Sequence, residues 1–210
     1  MGSTSGNGVM ESLGRRPRIL LGVSGSVAAI KAPELSEALL EFADVKVVVT
    51  KAASHFFNEL QMSGAVGPLL TDEGEWKSWR AKGDAVMHID LRNWADMLVI
   101  APLSANTLAK IAQGLCDNLL SSVFRAWDFS KPIVVAPAMN THMWENPFTE
   151  RHLDVLEDLG VMSVSPVVKV LACGDKGVGA MAAVPDIAKY CIDVLEKLQE
   201  EEEEEVDEQA

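Results

Sequence analysis

An amide and two thioethers follow an apolar run in the stretch IVVAPAMNTHMW, residues 133–144. The run 133–136 predicts a buried strand that stops at Pro137, and Met139, Asn140 and Met143 come soon after it. An ordinary turn would use Gly, Asp or Ser here, because those residues supply the unusual dihedral angles or local hydrogen bonds that turns need. The pattern therefore indicates either a ligand site or a helix cap by Asn140 with both methionines packed in the core.

Three other apolar runs also lead into Ser, Thr, Asn or Gly. The runs at 18–23, 45–50 and 97–102 predict buried strands, and they lead into GVSGSV, VTKAAS and APLSANT. In open α/β sheets, ligands bind outside the carboxyl ends of the strands. Four such ends predict one shared binding site, and four ordinary turns with capping Ser and Thr residues are the alternative.

Predicted strands and helices alternate along the chain. A fifth core strand is predicted at 161–166 and a short strand at 87–91 (MHIDL). Pro33 is expected to break or kink the first helix, Ser104 to cap the third and Gly160 to end the fifth. The alternation is typical of an α/β protein with a mainly parallel sheet covered on both faces. The predicted helices cover 25–42, 51–60, 104–115, 117–127, 146–160 and 185–199.

The 210 residues predict one globular domain with a tail at each end. Residues 1–16 are small, polar and Gly-rich and predict a disordered arm, 17–198 form the domain, and 199–210 predict an acidic disordered tail. The net charge is −13, and removing the eight acidic charges at 200–208 leaves −5 for the rest of the chain. We expect no nucleic-acid binding, because no basic stripe is available to neutralise phosphates.

Three cysteines, Cys116, Cys173 and Cys191, occur without a C-x-x-C pair. An odd number in this arrangement argues against a disulfide framework and against a zinc site, and it favours a reducing compartment. Cys116 and Cys191 lie in helical patterns and are predicted to be small core residues. No apolar run approaches ~18 residues and the first sixteen have no hydrophobic region, so we expect no membrane span and a cytoplasmic location.

The loops after the predicted strands favour a single phosphate group. Gly25 and Ser26 begin a helix directly after a strand, where backbone amides and the helix dipole attract an anion. The dinucleotide motif G-x-G-x-x-G is missing, and the second strand ends in Thr50 and Lys51 instead of an acid that would hold a ribose diol. Lys51 next to a 2′-phosphate keeps NADP as an alternative. A mononucleotide such as FMN fits the available hydroxyls and amides better, namely those of Ser26, Ser104, Asn106 and Thr107.

Five blocks in a fixed order carry a family resemblance: GSVAAIK, HIDLRNWAD, APLSANTLAKIAQGLCDNLL, PAMNTHMW and ACGDKGVGAM. Over 18–198 the chain resembles the flavin-dependent cysteine decarboxylases, most closely the eukaryotic phosphopantothenoylcysteine decarboxylases of coenzyme A synthesis. The resemblance implies a Rossmann-like three-layer α/β/α flavoprotein that forms a homotrimer, with FMN near the subunit interface. It also implies a lyase that converts 4′-phosphopantothenoylcysteine to 4′-phosphopantetheine.

The resemblance assigns roles to four residues. His88 is the family's active-site histidine, a residue type that can take a proton from a thiol near neutral pH. Asn140 binds the substrate carboxylate as a neutral donor, whereas an Arg would stabilise the starting charge more than the transition state in which it disperses. Met143 lies beside the substrate, and Cys173 donates a proton. The implied route is thiol oxidation to a thioaldehyde, loss of CO₂ and reduction of the resulting enethiol.

The remaining predicted site residues come from the same blocks. Ala172 and Met181 are predicted to contact substrate, and Met139 to pack near the flavin or in the core. The predicted cofactor contacts are Gly25, Ser26, Val27, Thr50, Lys51, Ala52, Ser104, Ala105, Asn106, Thr107 and Ala138.

One position departs from the family pattern. Relatives commonly carry a basic residue directly before the Trp of the HIDL block, and here that residue is Asn93. If the basic group holds the substrate phosphate, Arg92 or Lys31 would have to serve.

Two other functions stay open. Some family members with acidic tails are inhibitory subunits of a type-1 protein phosphatase, so a phosphatase partner is one alternative. A related substrate, such as a peptide with a C-terminal cysteine, or a prenylated flavin is the other.

Overall fold

Five parallel strands form the centre of the fold in the computed structural model, which describes residues 15–170 and 176–208. The strands lie side by side in the order β2-β1-β3-β4-β5, and every neighbouring pair is parallel. A separate antiparallel hairpin, β6–β7, follows the sheet in the chain. The strands are β1 Arg18–Val23, β2 Asp44–Val49, β3 Met97–Leu103, β4 Ile133–Pro137, β5 Met162–Ser163, β6 Val167–Val170 and β7 Lys176–Ala180.

Helices cover both faces of the sheet. They are α1 Ala32–Leu40, α2 Asp72–Ser78, α3 Met87–Trp94, α4 Ala105–Ala112, α5 Leu119–Arg125, α6 Thr141–Trp144, α7 Pro147–Asp158 and α8 Val184–Glu208. Leu35 of α1 and Ile187 of α8 pack in the core on one side, and Leu108 of α4 and Leu120 of α5 pack on the other. This confirms the three-layer α/β/α fold. In the described ranges, no helix has both the length and the apolar character needed to cross a membrane.

The central strands are uninterrupted apolar runs because helices bury both of their faces. All seven residues of β3 and all five of β4 are buried. These strands were therefore predicted almost to the residue. The predicted break in the first helix is also confirmed, since a 3-10 helix at Val27–Lys31 precedes α1, which has Pro33 in its first turn.

Two predicted elements were wrong. The segment 87–91, predicted as a strand, begins helix α3, because Met87 and Leu91 lie one helical turn apart and both pack on the core. The helix predicted at 51–60 is replaced by two separate 3-10 turns, Ala53–His55 and Glu59–Gln61. Leu60 in that segment is 91% exposed, so the segment has no continuous apolar face to bury.

The predicted disordered tails also differ from the structure at their inner ends. Arg15 donates to both carboxylate oxygens of Asp96 at 2.7 and 2.8 Å, and Arg16 donates to the carbonyl oxygens of Leu40 and Ala43. At the other end α8 continues to Glu208, where disorder was predicted from residue 199. Glu is a good helix former, and no Gly or Pro interrupts the acidic run. The domain boundaries at 17 and 198 stay a prediction.

Candidate active site

All five strands are parallel, and the direction in which successive strands are added to the sheet reverses between β1 and β3. Ligands of such sheets bind in the crevice outside the carboxyl ends of the strands at this point. A cavity of about 510 Å³ lies there, between the loops that follow β1, β2 and β3. The predicted cofactor residues that line it are Gly25, Thr50, Lys51, Ala52, Ser104, Asn106 and Thr107, and the unpredicted ones are His55, Asp72, Lys110, Asp117 and Asn118. Ser26, Val27, Ala105 and Ala138 are not among its lining residues.

Two helix starts bring hydroxyl and amide groups to this edge of the sheet. Ser104 caps α4 as predicted: its Oγ accepts from the Thr107 amide at 3.3 Å and lies 3.2 Å from Thr107 Oγ1. Ser26 caps the 3-10 helix by accepting from the Ala28 amide at 3.4 Å. Thr107 Oγ1, which accepts from Ser104 Oγ, keeps its own hydrogen, and a hydroxyl donor at a helix start is suited to a phosphate.

Gly25 and Ala52 hold two of these loops in close contact. A Cβ atom at Gly25 would lie 2.5 Å from Cβ of Ala52, so no larger residue fits without a shift. Lys51 is exposed, and Thr50 is buried with its Oγ1 accepting from the Ala53 amide at 3.3 Å. Hydroxyls, helix-start amides and one exposed cation fit the single phosphate of FMN. The Lys110 ammonium bonds Asp117 at 2.6 Å, and this hydrogen bond lowers the pKa of the Asp117 carboxyl.

Sequence reasoning missed Ser24, which joins two of the loops. The Ser24 side chain is fully buried; its Oγ donates to the Pro102 carbonyl at 2.7 Å and accepts from the Ser104 amide at 2.8 Å. Its only signal in the sequence was a small polar residue directly after a buried strand.

His88 lies in the first turn of α3 and contacts Glu75 of α2. The distance from His88 Nδ1 to Glu75 Oε1 is 2.6 Å, and their side chains are 29% and 13% exposed. His88 lines a second cavity of about 470 Å³ with Trp76, Trp79 and Cys116. Three residues, Asp72, Asp117 and Asn118, line both cavities, so the two adjoin.

The two cysteines that the structure describes differ from each other. Cys116 is exposed and lies in the loop between α4 and α5, so its prediction as a core residue was wrong. Cys191 is buried in α8 as predicted, and burial raises the pKa of its thiol to about 12.

Asn140 caps the short helix α6. Its Oδ1 accepts from the Met143 amide at 3.1 Å, so the predicted cap is present, but Met143 is not packed in the core as that alternative required. The cap leaves the Nδ2 donors for a ligand. Met139 is buried in the core, and Met143 is 51% exposed. The amide oxygen is thus used by the fold, and the exposed end of the residue is a neutral donor.

The β6–β7 hairpin packs on the loop that carries Asn140. The Met139 amide donates to the Gly179 carbonyl at 2.9 Å, and a Cβ at Gly179 would collide with the Met139 carbonyl oxygen. A Cβ at Gly177 would collide with the Thr141 side chain. Met181, buried directly after β7, is brought to the same region. Ala172 and Cys173, which belong to the ACGD block, lie outside the described residues.

Not every predicted site residue shares one cavity. The cavity that His88 lines does not include Asn140. Arg92 donates to the Ala126 carbonyl and to Asp128, both at 3.1 Å, so it stabilises the fold at the end of α5. Lys31 ends the 3-10 helix and is half-buried. Among the described residues, no cluster of His, Cys, Asp and Glu is placed to hold a metal ion.

The strand order, together with the hydroxyl groups and helix-start amides at the β1–β3 edge, is that of a flavodoxin-like α/β protein that binds a mononucleotide. The chain matches the Flavoprotein family over residues 10–196 and belongs to that family. Among curated proteins, it is 61% identical over 168 residues to phosphopantothenoylcysteine decarboxylase of Arabidopsis thaliana, covering 80% of each chain. It is 48% identical over 175 residues to the Mus musculus protein of that name, covering 82% of this chain and 84% of that one.

Two solved structures are similar in fold and sequence. One is a cysteine-to-serine mutant of PPC decarboxylase complexed with pantothenoylaminoethenethiol, with a TM-score of 0.83, 58% identity and coverage of 84% of this chain and 97% of that one. The other is the FMN binding protein AtHal3, with a TM-score of 0.80, 58% identity and coverage of 84% and 95%. The family resemblance inferred from the five sequence blocks is thereby confirmed.

Proposed function

We propose that this chain is an FMN-dependent decarboxylase that converts 4′-phosphopantothenoylcysteine to 4′-phosphopantetheine in coenzyme A biosynthesis. The observation that carries the proposal is the cavity at the β1–β3 edge, where serine, threonine and helix-start amide donors converge. Strand β4 leads into the loop that carries Asn140, and the β6–β7 hairpin packs on that loop. Similarity to phosphopantothenoylcysteine decarboxylases and to an FMN binding protein supports both the reaction and the cofactor.

FMN supplies a hydride acceptor and donor, so that decarboxylation can pass through an oxidised thiol with no net redox change. Its phosphate would be held by Ser104, Thr107 and the amides that begin the 3-10 helix and α4. Lys51 would add a positive charge at the exposed side of the cavity.

Asn140 holds the substrate carboxylate through its Nδ2 donors, because its Oδ1 is engaged in the helix cap. A neutral donor orients the carboxylate without a full positive charge that would stabilise it against departure as CO₂. Met143, half exposed beside it, offers a polarizable apolar wall.

His88 takes the proton of the substrate thiol as the thiol is oxidised. Trp76 and Trp79 form apolar walls of the cavity that it lines, beside the position where the thiol would be held. Cys173 remains the predicted proton donor to the enethiol. Ala172 and Met181 remain predicted substrate contacts.

We further propose that the working form is a homotrimer in which one subunit's His88 completes another subunit's site. The cavity that His88 lines does not include Asn140 of the same chain. Trp76 and Trp79, which lie beside His88, are 76% and 49% exposed. Burial of these rings in an interface would stabilise an assembly. Sedimentation equilibrium tests this proposal, and a monomeric active enzyme would contradict it.

Two further proposals concern the location of the protein in the cell and a protein partner. The three cysteines without a pairing pattern favour a cytoplasmic location, which imaging of a fluorescent fusion would test. The acidic run at 200–208 is similar to the tails of family members that inhibit a type-1 protein phosphatase, and this resemblance supports a phosphatase partner as an added role. Deletion of 199–210 should then leave decarboxylation intact and abolish phosphatase binding. Binding that persisted after the deletion would show that the tail is not the binding segment.

The proposed function is tested by an absorption spectrum followed by anaerobic addition of 4′-phosphopantothenoylcysteine. We expect bound flavin and formation of 4′-phosphopantetheine by mass spectrometry. Bound flavin without product would favour a different cysteine substrate, such as a peptide with a C-terminal cysteine. Failure to take up FMN would contradict the assignment.

A further inference from the structure

Glu75 contacts His88 at two atoms. Its Oε1 lies 2.6 Å from Nδ1 of the imidazole and also accepts a hydrogen bond from the backbone amide of His88 at 3.3 Å. The two residues come from different helices, α2 and α3, so the contact is made by the fold and not by helical spacing. Glu75 is the more buried partner, with 13% of its side chain exposed.

The contact determines where the imidazole carries its proton. An ionised carboxylate can only accept hydrogen bonds, so Nδ1 must carry the hydrogen and Nε2 of the neutral ring keeps its lone pair. The other ionisable groups that line the cavity are Asp72, Cys116 and Asp117. Asp72 accepts from the Leu119 amide at 2.6 Å, and Asp117 is paired with Lys110. Asp90 lies on the helix of His88 and lines a different cavity. Glu75 is therefore the acid that holds the ring.

We propose that Glu75 is a positioning residue for the decarboxylation, which fixes the orientation of His88 and leaves Nε2 as the proton acceptor. This inference rests on the proposed function of His88. The step that it assists is a proton transfer: the thiol S–H bond breaks, its electron pair stays on sulfur, and Nε2 gains the hydrogen. Glu75 itself neither gains nor loses a proton in this step, and both hydrogen bonds that the structure gives its carboxylate are made with His88.

A purely structural role for Glu75 is the competing explanation. Val86, the residue before α3, makes no capping hydrogen bond with its side chain, so the Glu75 carboxylate serves as the cap of that helix. A capping residue would affect the free energy of unfolding but not the protonation pattern of the ring or the coupling to His88 in catalysis.

The first test is ¹⁵N NMR of the histidine side chains in the wild-type protein at mildly alkaline pH, with the His88 signals assigned by their loss in His88→Gln. We expect the proton on Nδ1. A proton on Nε2 would overturn the proposal. This measurement needs no turnover, so it decides the inference even if the wild type fails to decarboxylate, which would contradict the proposed function instead.

The second test is a double-mutant cycle with Glu75→Gln, His88→Gln and the double variant. Loss of a general base typically costs roughly 10²- to 10⁴-fold. We expect Glu75→Gln to lower kcat by about 10- to 100-fold with little change in KM, and to cost nothing more once His88 is replaced. Equal losses in both backgrounds would overturn the proposal. Glu73→Gln, exposed on the same helix, is the control and should retain wild-type kcat. If Glu75→Gln fails to fold, the NMR result on the wild type decides alone.

Discussion

The Ser24 hydroxyl accepts a hydrogen bond from the Ser104 amide at 2.8 Å, and this contact joins the loops that follow β1 and β3. The same oxygen donates to the Pro102 carbonyl at 2.7 Å, and the side chain is fully buried. The start of α4, which would hold the FMN phosphate, is therefore fixed from the neighbouring strand. Ser24, which is not among the lining residues of the cavity, thus controls the position of Ser104, which is.

Ser24→Ala should weaken FMN binding. The substitution leaves the Ser104 amide buried without a partner, which costs about 1–3 kcal/mol of stability and loosens the cap of α4. We expect the Kd for FMN, measured by flavin fluorescence, to rise roughly tenfold, equivalent to about 1.4 kcal/mol. Ser130→Ala is a control, since the bonds of Ser130 are confined to nearby Asp128 on an exposed loop. Unchanged FMN affinity in Ser24→Ala would contradict the role given to this contact.

Asn140→Asp and Asn140→Ser should separate capping from substrate binding. Both new residues cap helices about as well as Asn, so the free energy of unfolding should change by less than about 1 kcal/mol. Both lose the Nδ2 donors, and a hydrogen bond to a charged group contributes about 1.5–3 kcal/mol, so kcat/KM should fall at least roughly tenfold. Asp should be the worse variant because its charge repels the carboxylate.

Asn146→Asp is the matched control for this prediction. Asn146 caps the next helix, α7, by accepting from the Phe148 amide at 3.0 Å, which is the same chemistry at a neighbouring position. Its kcat/KM should equal that of the wild type. Wild-type kcat/KM in Asn140→Asp would show that Asn140 is a cap and nothing more.

Gly179→Ala should uncouple the hairpin from the Asn140 loop. Gly179 has φ +131°, which L side chains rarely adopt, and an added Cβ would collide with the Met139 carbonyl oxygen. Strain of this kind costs about 1–3 kcal/mol, measurable by urea unfolding, and displacement of the hairpin should lower kcat/KM as well. Gly64→Ala meets no atom within 4 Å and should match the wild type in both measurements. An equally stable and active Gly179→Ala would mean that the hairpin docks elsewhere.

Asp96→Asn should destabilise the protein at neutral pH and lose this effect in acid. Desolvation raises the pKa of Asp96, but hydrogen bonds from the Arg15 guanidinium and the Arg18 amide outweigh it, and the net pKa is lowered. A lowered folded-state pKa stabilises the protein above the unfolded value of ~3.9, and this stabilisation is lost as pH falls through the folded value.

The measurement for Asp96 is urea unfolding as a function of pH. At neutral pH the variant should be about 1–3 kcal/mol less stable than the wild type, and the two curves should converge below ~pH 4. Asp154→Asn, on an exposed position of α7, should follow the wild type throughout. A difference that persisted unchanged in acid would exclude the ion pair as its cause.

The central strands were predictable from the sequence, whereas several contacts around the site were not. The runs 97–102 and 133–137 are uninterrupted because helices bury both faces of the sheet, so composition alone identifies them. In MHIDL the apolar residues alternate as in a strand, and only the packing of Leu91 against the core reveals a helix. Because Gly25, Thr50 and Ser104 directly follow strands, the sequence could predict that they lie at one edge of the sheet, and they do line the cavity there.

Contacts between distant segments leave no local pattern. Ser24 and Ser104 are 80 residues apart, and Glu75 and His88 are 13 residues apart on separate helices. Each pair consists of ordinary residue types whose roles arise only when the chain is folded. The family resemblance predicted roles for His88 and Asn140 but carried no information about the groups that hold them.

The proposed decarboxylation is tested most directly by the stoichiometry of anaerobic turnover with 4′-phosphopantothenoylcysteine in excess over the bound flavin. We expect equal amounts of CO₂ and 4′-phosphopantetheine over many turnovers, with oxidised flavin at the end, because the cofactor returns the electrons that it accepts. CO₂ release that stopped after one equivalent per flavin, or no CO₂ at all from flavin-loaded protein, would contradict it.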